Sequence, residues 1–209
     1  MDENIIRNNQ VNIIGEVHSG FEFSHEVYGE GFYNFYVLVP RLSENEDVIP
    51  ITVSERLIDI HSDHIGEIVD VTGQFRSYNR HLEGKNRLVL TVFARELTLV
   101  GDEEIVKNPN FIFLDGYICK PPLYRTTPFG REITDVLLAV NRPYNKSDYI
   151  PCICWGRNAK YASEFKVGNK MRIWGRIQSR SYQKRVGDEQ YVHKVAYEVS
   201  ISKIEQEDK

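Results

Sequence analysis

The sequence predicts an all-β protein made of two tandem copies of one small barrel. The chain repeats itself at an offset of 101 to 102 residues, so that residues 9–15 (NQVNIIG) match residues 110–116 (NFIFLDG). Each copy holds five apolar runs typical of strands, and a short helical pattern stands between the third and fourth runs. Five strands with one helix in this position, within about 100 residues, is the order of an OB-fold, a five-stranded Greek-key barrel.

The internal match fixes the domain limits. Residues 1–100 form the first predicted OB-fold and residues 110–209 the second, joined by a charged linker at 101–109 that ends in Pro109. Gly73 and Gly175 each interrupt a long strand, where a barrel strand must bend to serve both of its sheets.

The predicted elements follow from the apolar runs. In the first copy, residues 54–63 (SERLIDIHSD) supply one or two helical turns, and in the second the helix is 156–165, with Ala159, Ala162 and Phe165 on one face. The predicted strands lie near 11–17, 32–39, 48–53, 68–78 and 87–99, and then near 111–120, 133–140, 150–155, 170–182 and 190–204.

The net charge of −4 conceals a division between the halves. Residues 1–107 carry 9 Lys and Arg against 19 Asp and Glu, whereas residues 108–209 carry 17 against 11. Such an asymmetry indicates that the second half binds a polyanion.

Several classes of protein are disfavoured. Three cysteines with no CxxC pattern favour a reducing cytoplasm and predict neither a disulfide framework nor a structural metal. No apolar run approaches 18 residues, so no membrane span is expected. The sequence lacks the GxSxG, P-loop, HExxH and GxGxxG motifs, which predicts that the protein is not an enzyme and needs no cofactor.

Residues 149–182 interleave aromatic and basic side chains. Surfaces that bind single-stranded nucleic acid combine cations along the phosphates with rings on which bases stack. The alternative is that such rings fill the barrel core. Trp174 is expected to face outward, because Met171 and Ile173 face inward, and there it would stack a base or cover a subunit contact.

The predicted hairpin from residue 179 to residue 194 joins the last two strands. It would place Arg180, Tyr182, Lys184 and Arg185 on a projecting finger, the alternative being an ordinary solvated hairpin. Its shorter counterpart in the first copy carries Tyr78.

The second copy resembles the bacterial single-stranded DNA-binding protein family along its whole length. The resemblance rests on NFIFLDGYICKPPLYRTTPFG, LLAVNR and DYIPCICWGRNAKYASEFKVGNKMRIWGRIQSRSY, in this order. It implies that the base-stacking rings of the family fall on Tyr144, Tyr149, Trp155 and Tyr182. The resemblance implies an acidic tail tip that recruits other proteins; because the sequence given ends at KIEQEDK, no recruitment through such a tip is expected, in which the chain resembles the primosomal relative of the family.

The first copy keeps the scaffold but not the rings. The four stacking positions project onto Ser43, Val48, Ser54 and Tyr78, so three rings are absent. The first barrel is therefore expected to serve assembly, and a homodimer would present four barrels.

The combined hypothesis is a cytoplasmic protein that binds single-stranded DNA with little sequence preference, in replication, repair or recombination. An adaptor module of a primosome or mobile element, and an RNA-binding OB protein, remain alternatives. The nucleic-acid-binding candidates are the rings Tyr144, Tyr149, Trp155, Tyr182, Trp174 and Tyr78 and the cations Arg142, Lys146, Arg157, Lys160, Arg176, Arg180, Lys184 and Arg185.

Overall fold

Two closed β-barrels follow each other in the computed structural model of the chain. The structure describes residues 8–41, 43, 45–82, 85–101, 109–185 and 191–206. Most of the predicted linker lies outside these residues. No helix in the described part of the chain is long and apolar enough to cross a membrane.

The first barrel is closed by its first strand, β1, which pairs with both β3 and β5. The strand order is β1-β3-β4-β6-β5-β1, with β4 and β6 parallel and the other pairs antiparallel. This topology is that of the predicted OB-fold. Its strands are β1 (Asn9–Val17), β2 (Glu22–Val27), β3 (Glu30–Pro40), β4 (Glu46–Ser54), β5 (Ile68–Leu82) and β6 (Lys85–Val100).

The second barrel repeats this arrangement. Its order is β7-β9-β10-β12-β11-β7, again with one parallel pair, between β10 and β12. The helix α1 stands between β10 and β11, as predicted, and buries Ala159 and Ala162. The elements are β7 (Asn110–Ile118), β8 (Leu123–Thr126), β9 (Glu132–Arg142), β10 (Lys146–Trp155), α1 (Arg157–Ser163), β11 (Lys170–Arg185) and β12 (Tyr191–Gln206).

Both predicted bends are confirmed. The ladder of β5 with β6 shifts register between Thr72 and Gly73, and that of β11 with β12 shifts between Trp174 and Gly175. A Cβ atom on Gly73 would collide with the carbonyl oxygen of Phe93, so the two strands approach more closely there than any other residue type permits.

Two expectations about the elements were wrong. The first barrel has no helix between its third and fourth long strands, because residues 55–67 form turns. Within this segment, the Asp59 carboxylate accepts the backbone N–H of His61 and the hydroxyl of Ser62, and such local hydrogen bonds compete with helix. The edge strands β2 and β8 were missed, because their side chains are almost all exposed and show no alternation.

The two barrels are joined edge to edge by β1 and β7, which are antiparallel. Val11 pairs with Ile112 at the centre, and equivalent residues pair on either side of it. The Ile14 N–H donates to the Pro109 carbonyl, and the Asp115 N–H donates to the Asn8 carbonyl, both at 2.8 Å. A pseudo-twofold axis therefore passes through the Val11–Ile112 pair.

Candidate nucleic-acid interface

The outward side of β10 carries two of the predicted rings. The residues Ile150, Cys152 and Cys154 point into the core and are buried, so the alternate residues Tyr149 and Trp155 face away from it. Tyr149 is 47% exposed and Trp155 38%. Six residues at about 3.3 Å per residue separate the two rings by roughly 20 Å along one strand.

Tyr182 extends this surface onto β11. It pairs with Lys194 of β12 and is 37% exposed. The guanidinium of Arg180, two residues earlier, lies 5.8 Å from the centre of the Tyr182 ring, in the range of a cation–π contact. The side chains of Lys184 and Arg185 lie outside the described part of the chain.

Tyr144 lies at the tip of the turn between β9 and β10. Its side chain is 94% exposed, and its backbone φ is 63°, in the left-handed region that tyrosine rarely adopts. Asn145 follows with φ 54°. Holding a tyrosine in this conformation costs of order 1–3 kcal/mol, and such outliers cluster at ligand-binding sites.

Tyr117 adds a ring that was not among the residues predicted from the sequence. It pairs with Ala139, which pairs in turn with Tyr149, so Tyr117 lies in the same row and on the same side as Tyr149. It is 41% exposed. The signal was present in the sequence: the neighbouring Ile112, Leu114 and Ile118 alternate as core residues, which leaves residue 117 on the outside.

The predicted cations differ in what already contacts them. Lys146 and Arg157 are exposed and, within the described residues, form no ion pair. Lys160 contacts Glu132 at 3.1 Å, and Arg180 lies 3.9 Å from Glu198; both are exposed and remain able to exchange partners.

Arg142 and Arg176 belong to a charge network between the barrels. The Asp47 carboxylate of β4 accepts hydrogen bonds from Arg41 at 2.8 Å, from Arg176 at 3.0 Å and from the Ser179 backbone N–H at 2.7 Å. Asp47 is buried, so Arg176 is engaged with the first barrel.

Asp148 of β10 is the equivalent of Asp47 across the pseudo-twofold axis and makes the corresponding contact with the first barrel. Its carboxylate accepts the Ser77 backbone N–H at 2.8 Å and Arg142 at 3.2 Å, while its other oxygen is buried and without a hydrogen-bond partner. Burial raises the pKa of the Asp148 carboxyl, against the opposing hydrogen bonds and the charges of Arg142 and Arg76.

Trp174 faces outward, as expected, but away from the other rings. It lies where β11 pairs with β7, at 5.0 Å from the Phe113 ring, and the Lys203 amine lies 4.5 Å from the centre of its indole. Tyr149 and Trp155 lie instead on β10, which pairs with β9 and β12.

Tyr78 does not occupy the position equivalent to Tyr182. Ser77 and Ser179 make equivalent contacts across the pseudo-twofold axis, so Tyr78 corresponds to Arg180 and Arg80 to Tyr182. The projection of Tyr182 onto Tyr78 was therefore wrong by two residues. Strand β5 nevertheless carries a ring and a cation on its outer side, in the reverse order.

The second barrel matches the model of a known protein family. The model of the single-strand binding protein family matches residues 109–204. The chain is 33% identical over 96 residues to single-stranded DNA-binding protein 3 of Listeria innocua, covering 43% of this chain and 60% of that protein's length. It is also 33% identical over 96 residues to single-stranded DNA-binding protein 3 of Clostridium acetobutylicum, covering 43% of this chain and 67% of the relative.

The fold of the whole chain also has a solved counterpart. The single-stranded DNA-binding protein of Thermus aquaticus superposes with a TM-score of 0.75 at 17% identity, covering 96% of this chain and 93% of that one. The solved structure shares the tandem fold, and the curated relatives share the sequence of the second barrel. The chain belongs to the single-strand binding protein family.

Proposed function

We propose that the protein binds single-stranded DNA with little sequence preference, by stacking bases on exposed rings and by contacting phosphates with Lys and Arg. The observation that carries this proposal is the exposure of Tyr149 and Trp155 on one side of β10, with Tyr182 on β11 and Tyr144 at the adjoining turn. Every nucleobase has a face that can stack, so such a surface tolerates any sequence. In a cell it would protect single strands during replication, repair or recombination in the cytoplasm.

The two barrels have different roles in this proposal. The second barrel, about residues 110–209, is the main binding domain, and the first, about residues 1–100, supports it. In support, the Tyr149 N–H donates to the Ser77 hydroxyl of the first barrel at 2.7 Å, next to the Asp148 contact. The first barrel thus anchors the start of the strand that carries Tyr149 and Trp155.

The protein is further proposed to act as a homodimer that presents four barrels. The strands β5, β1, β7 and β11 form a central sheet across the barrel junction, which carries Phe111, Phe113 and Trp174 on the side away from the core. Rings of this kind are enriched where subunits meet. Light scattering should give twice the mass of the chain, and a monomer mass at micromolar concentration would contradict this assembly.

Titration of a fluorescent oligo-dT with the protein at low salt tests the binding proposal. Saturable binding supports it, and the absence of binding overturns it. A parallel titration with oligo-U measures the preference for DNA over RNA, since only RNA offers a 2′-hydroxyl to the surface.

A further inference from the structure

The outer side of the first barrel holds a groove that its sequence did not suggest. Its volume is about 680 Å³, within the range of small-ligand sites. The walls include Asn34, Tyr78 and Arg80 of the first barrel, and Arg142 reaches it from the second. The groove therefore spans the junction of the two barrels.

Two rings, Phe93 in the wall of the groove and Phe32 stacked behind it, stand at positions where the second barrel has none. By strand register, Phe32 is equivalent to Ile133, since each pairs with the last residue of the next strand, Ser54 or Trp155. The first barrel has lost the ring at Ser54, but the neighbouring strand β3 has gained one.

A second ring has been gained on β6. Phe93 lies beside Thr52, and Ser200 lies beside the equivalent Ile153 in the second barrel. The Phe32 and Phe93 rings stack at 5.5 Å, and the Arg76 guanidinium lies 4.6 Å from the centre of the Phe93 ring. The first barrel is therefore more aromatic than the absence of rings at the equivalent positions suggests.

The charge of the groove is opposite to that of the first barrel as a whole. Three arginines, Arg76, Arg80 and Arg142, line it against one acid, Glu22, among the described residues. The excess of acidic residues in this half of the sequence is therefore located elsewhere.

The equivalent surface of the second barrel is more acidic than the groove. It carries Asp135, bound to Arg125 at 2.7 Å, and Glu198, bound to Gln178 at 2.7 Å. In the first barrel these acids are replaced by neutral residues, Asn34 and Thr91, by strand register. Local charge at the groove therefore favours an anion.

The arginines at the back of the groove are incompletely neutralised. Arg142 contacts the Asp148 carboxylate at 3.2 Å, whereas Arg76 donates a hydrogen bond to the Gln74 side chain at 2.8 Å and its Nε atom is buried without a hydrogen-bond partner. Burial and the charge of Arg142 lower the pKa of Arg76. A phosphate placed between these guanidinium groups would supply the missing negative charge and acceptors.

We propose that this groove is a second site for single-stranded nucleic acid, in which Tyr78 stacks a base and Arg76, Arg80 and Arg142 bind phosphate. This inference rests on the proposed function and deepens it. Arg142 precedes Tyr144 by two residues and lines the groove, so a strand held on the second barrel reaches the first barrel without leaving the surface. The groove is occupied only by strands long enough to cover both barrels.

Fluorescence anisotropy with two lengths of oligo-dT tests the proposal on the full chain. One OB-fold covers roughly 4–16 nucleotides, so an oligomer of about 8 reports on the stronger site and one of about 35 on both. The double variant Tyr78→Ala with Arg80→Ala should leave the Kd of the short oligomer within about twofold and raise that of the long oligomer about tenfold. The control Arg95→Ala removes an exposed charge of the same barrel outside the groove and should change neither by more than about twofold.

The outcomes separate the two proposals. An unchanged affinity of the double variant for the long oligomer, or an equal loss in Arg95→Ala, overturns the second site and leaves the proposed function intact. A wild-type protein that binds neither oligomer overturns both. If the double variant loses the short oligomer as well, the single variant Arg80→Glu decides: it should weaken the long oligomer alone, and unchanged binding of that oligomer overturns the site.

Discussion

Single residues show how the same side-chain type serves different purposes in this chain. Trp155 and Trp174 both lie on strands and face away from a core, yet Trp174 is covered by Phe113 and Lys203. Trp155 makes no ring or cation contact among the described residues and offers a face to a ligand. Exposure together with contacts, rather than residue type, separates candidate binding rings from packing rings.

Trp155→Ala should weaken binding of oligo-dT by about 1–3 kcal/mol, the value of one stacked base. The melting temperature should change little, because the ring is partly exposed. Tyr161→Ala is the matched control, since Tyr161 is 40% exposed and lies on α1 against Phe165. Equal losses of affinity in both variants would show that Trp155 has no particular role.

The carboxylates of Asp47 and Asp148 differ in how fully neighbouring cations and N–H groups contact them. Replacing each by asparagine should therefore change the free energy of unfolding in opposite directions. Asp47→Asn removes the charge that pairs with Arg41 and Arg176, and should lower the free energy of unfolding by about 3 kcal/mol. Urea unfolding at pH 7 measures the loss. A variant as stable as the wild type would show that the network contributes nothing.

Asp148→Asn should instead stabilise the protein at neutral pH. Because the pKa of Asp148 is raised, folding favours its protonated form, and the free energy of unfolding falls as pH rises from about 4 through the raised pKa. Asparagine keeps an acceptor for the Ser77 N–H without the charge. Urea unfolding should give a stability gain at pH 7 that disappears near pH 3; a gain that is larger at pH 3 would contradict this reasoning.

At the scale of elements, the shape of each barrel depends on the bend in its fourth long strand. Gly175 permits the Ser200 carbonyl to approach at the bulge between Trp174 and Gly175. Before the bend β11 pairs with β7 of the central sheet, and beyond it the same strand carries Arg180 and Tyr182. The bend therefore lets one strand contribute to both surfaces.

Gly175→Ala should lower the free energy of unfolding by about 1–3 kcal/mol, because its Cβ would overlap the Ser200 carbonyl. Thermal unfolding measures this cost. Gly20→Ala is the control, since a Cβ there meets no atom within 4 Å, and it should change stability by less than about 0.5 kcal/mol. Similar effects of the two substitutions would contradict the close approach.

Elements with a strong periodic pattern were predictable from the sequence, and those set by local contacts were not. The ten long strands, α1 and both bends follow from alternation, helical spacing and interrupting glycines. The turns at residues 55–67 depend on side-chain hydrogen bonds of Asp59, which the sequence pattern does not reveal. The rings Phe32 and Phe93 were overlooked because they contribute to the surface only through strand pairing.

For the whole molecule, the internal repeat is a structural pseudo-dimer. The pairing of β1 with β7 and the Asp47 and Asp148 contacts repeat across one axis, so each barrel fixes the other. Net charge per half, from which polyanion binding was predicted for the second half alone, averages over surfaces that differ. The position of a charge can be known only after the strands are paired.

We propose that base stacking, in addition to phosphate contact, holds the strand on the protein. Titrations of oligo-dT and of an abasic oligomer of the same length, which has the same phosphates and no bases, over a series of salt concentrations separate the two contributions. Both affinities should fall with salt, with a slope of about −0.7 per neutralised phosphate. Oligo-dT should bind at least about a hundredfold more tightly at every salt concentration, from two or more stacked bases. Equal affinities of the two oligomers would show that base stacking does not contribute to binding.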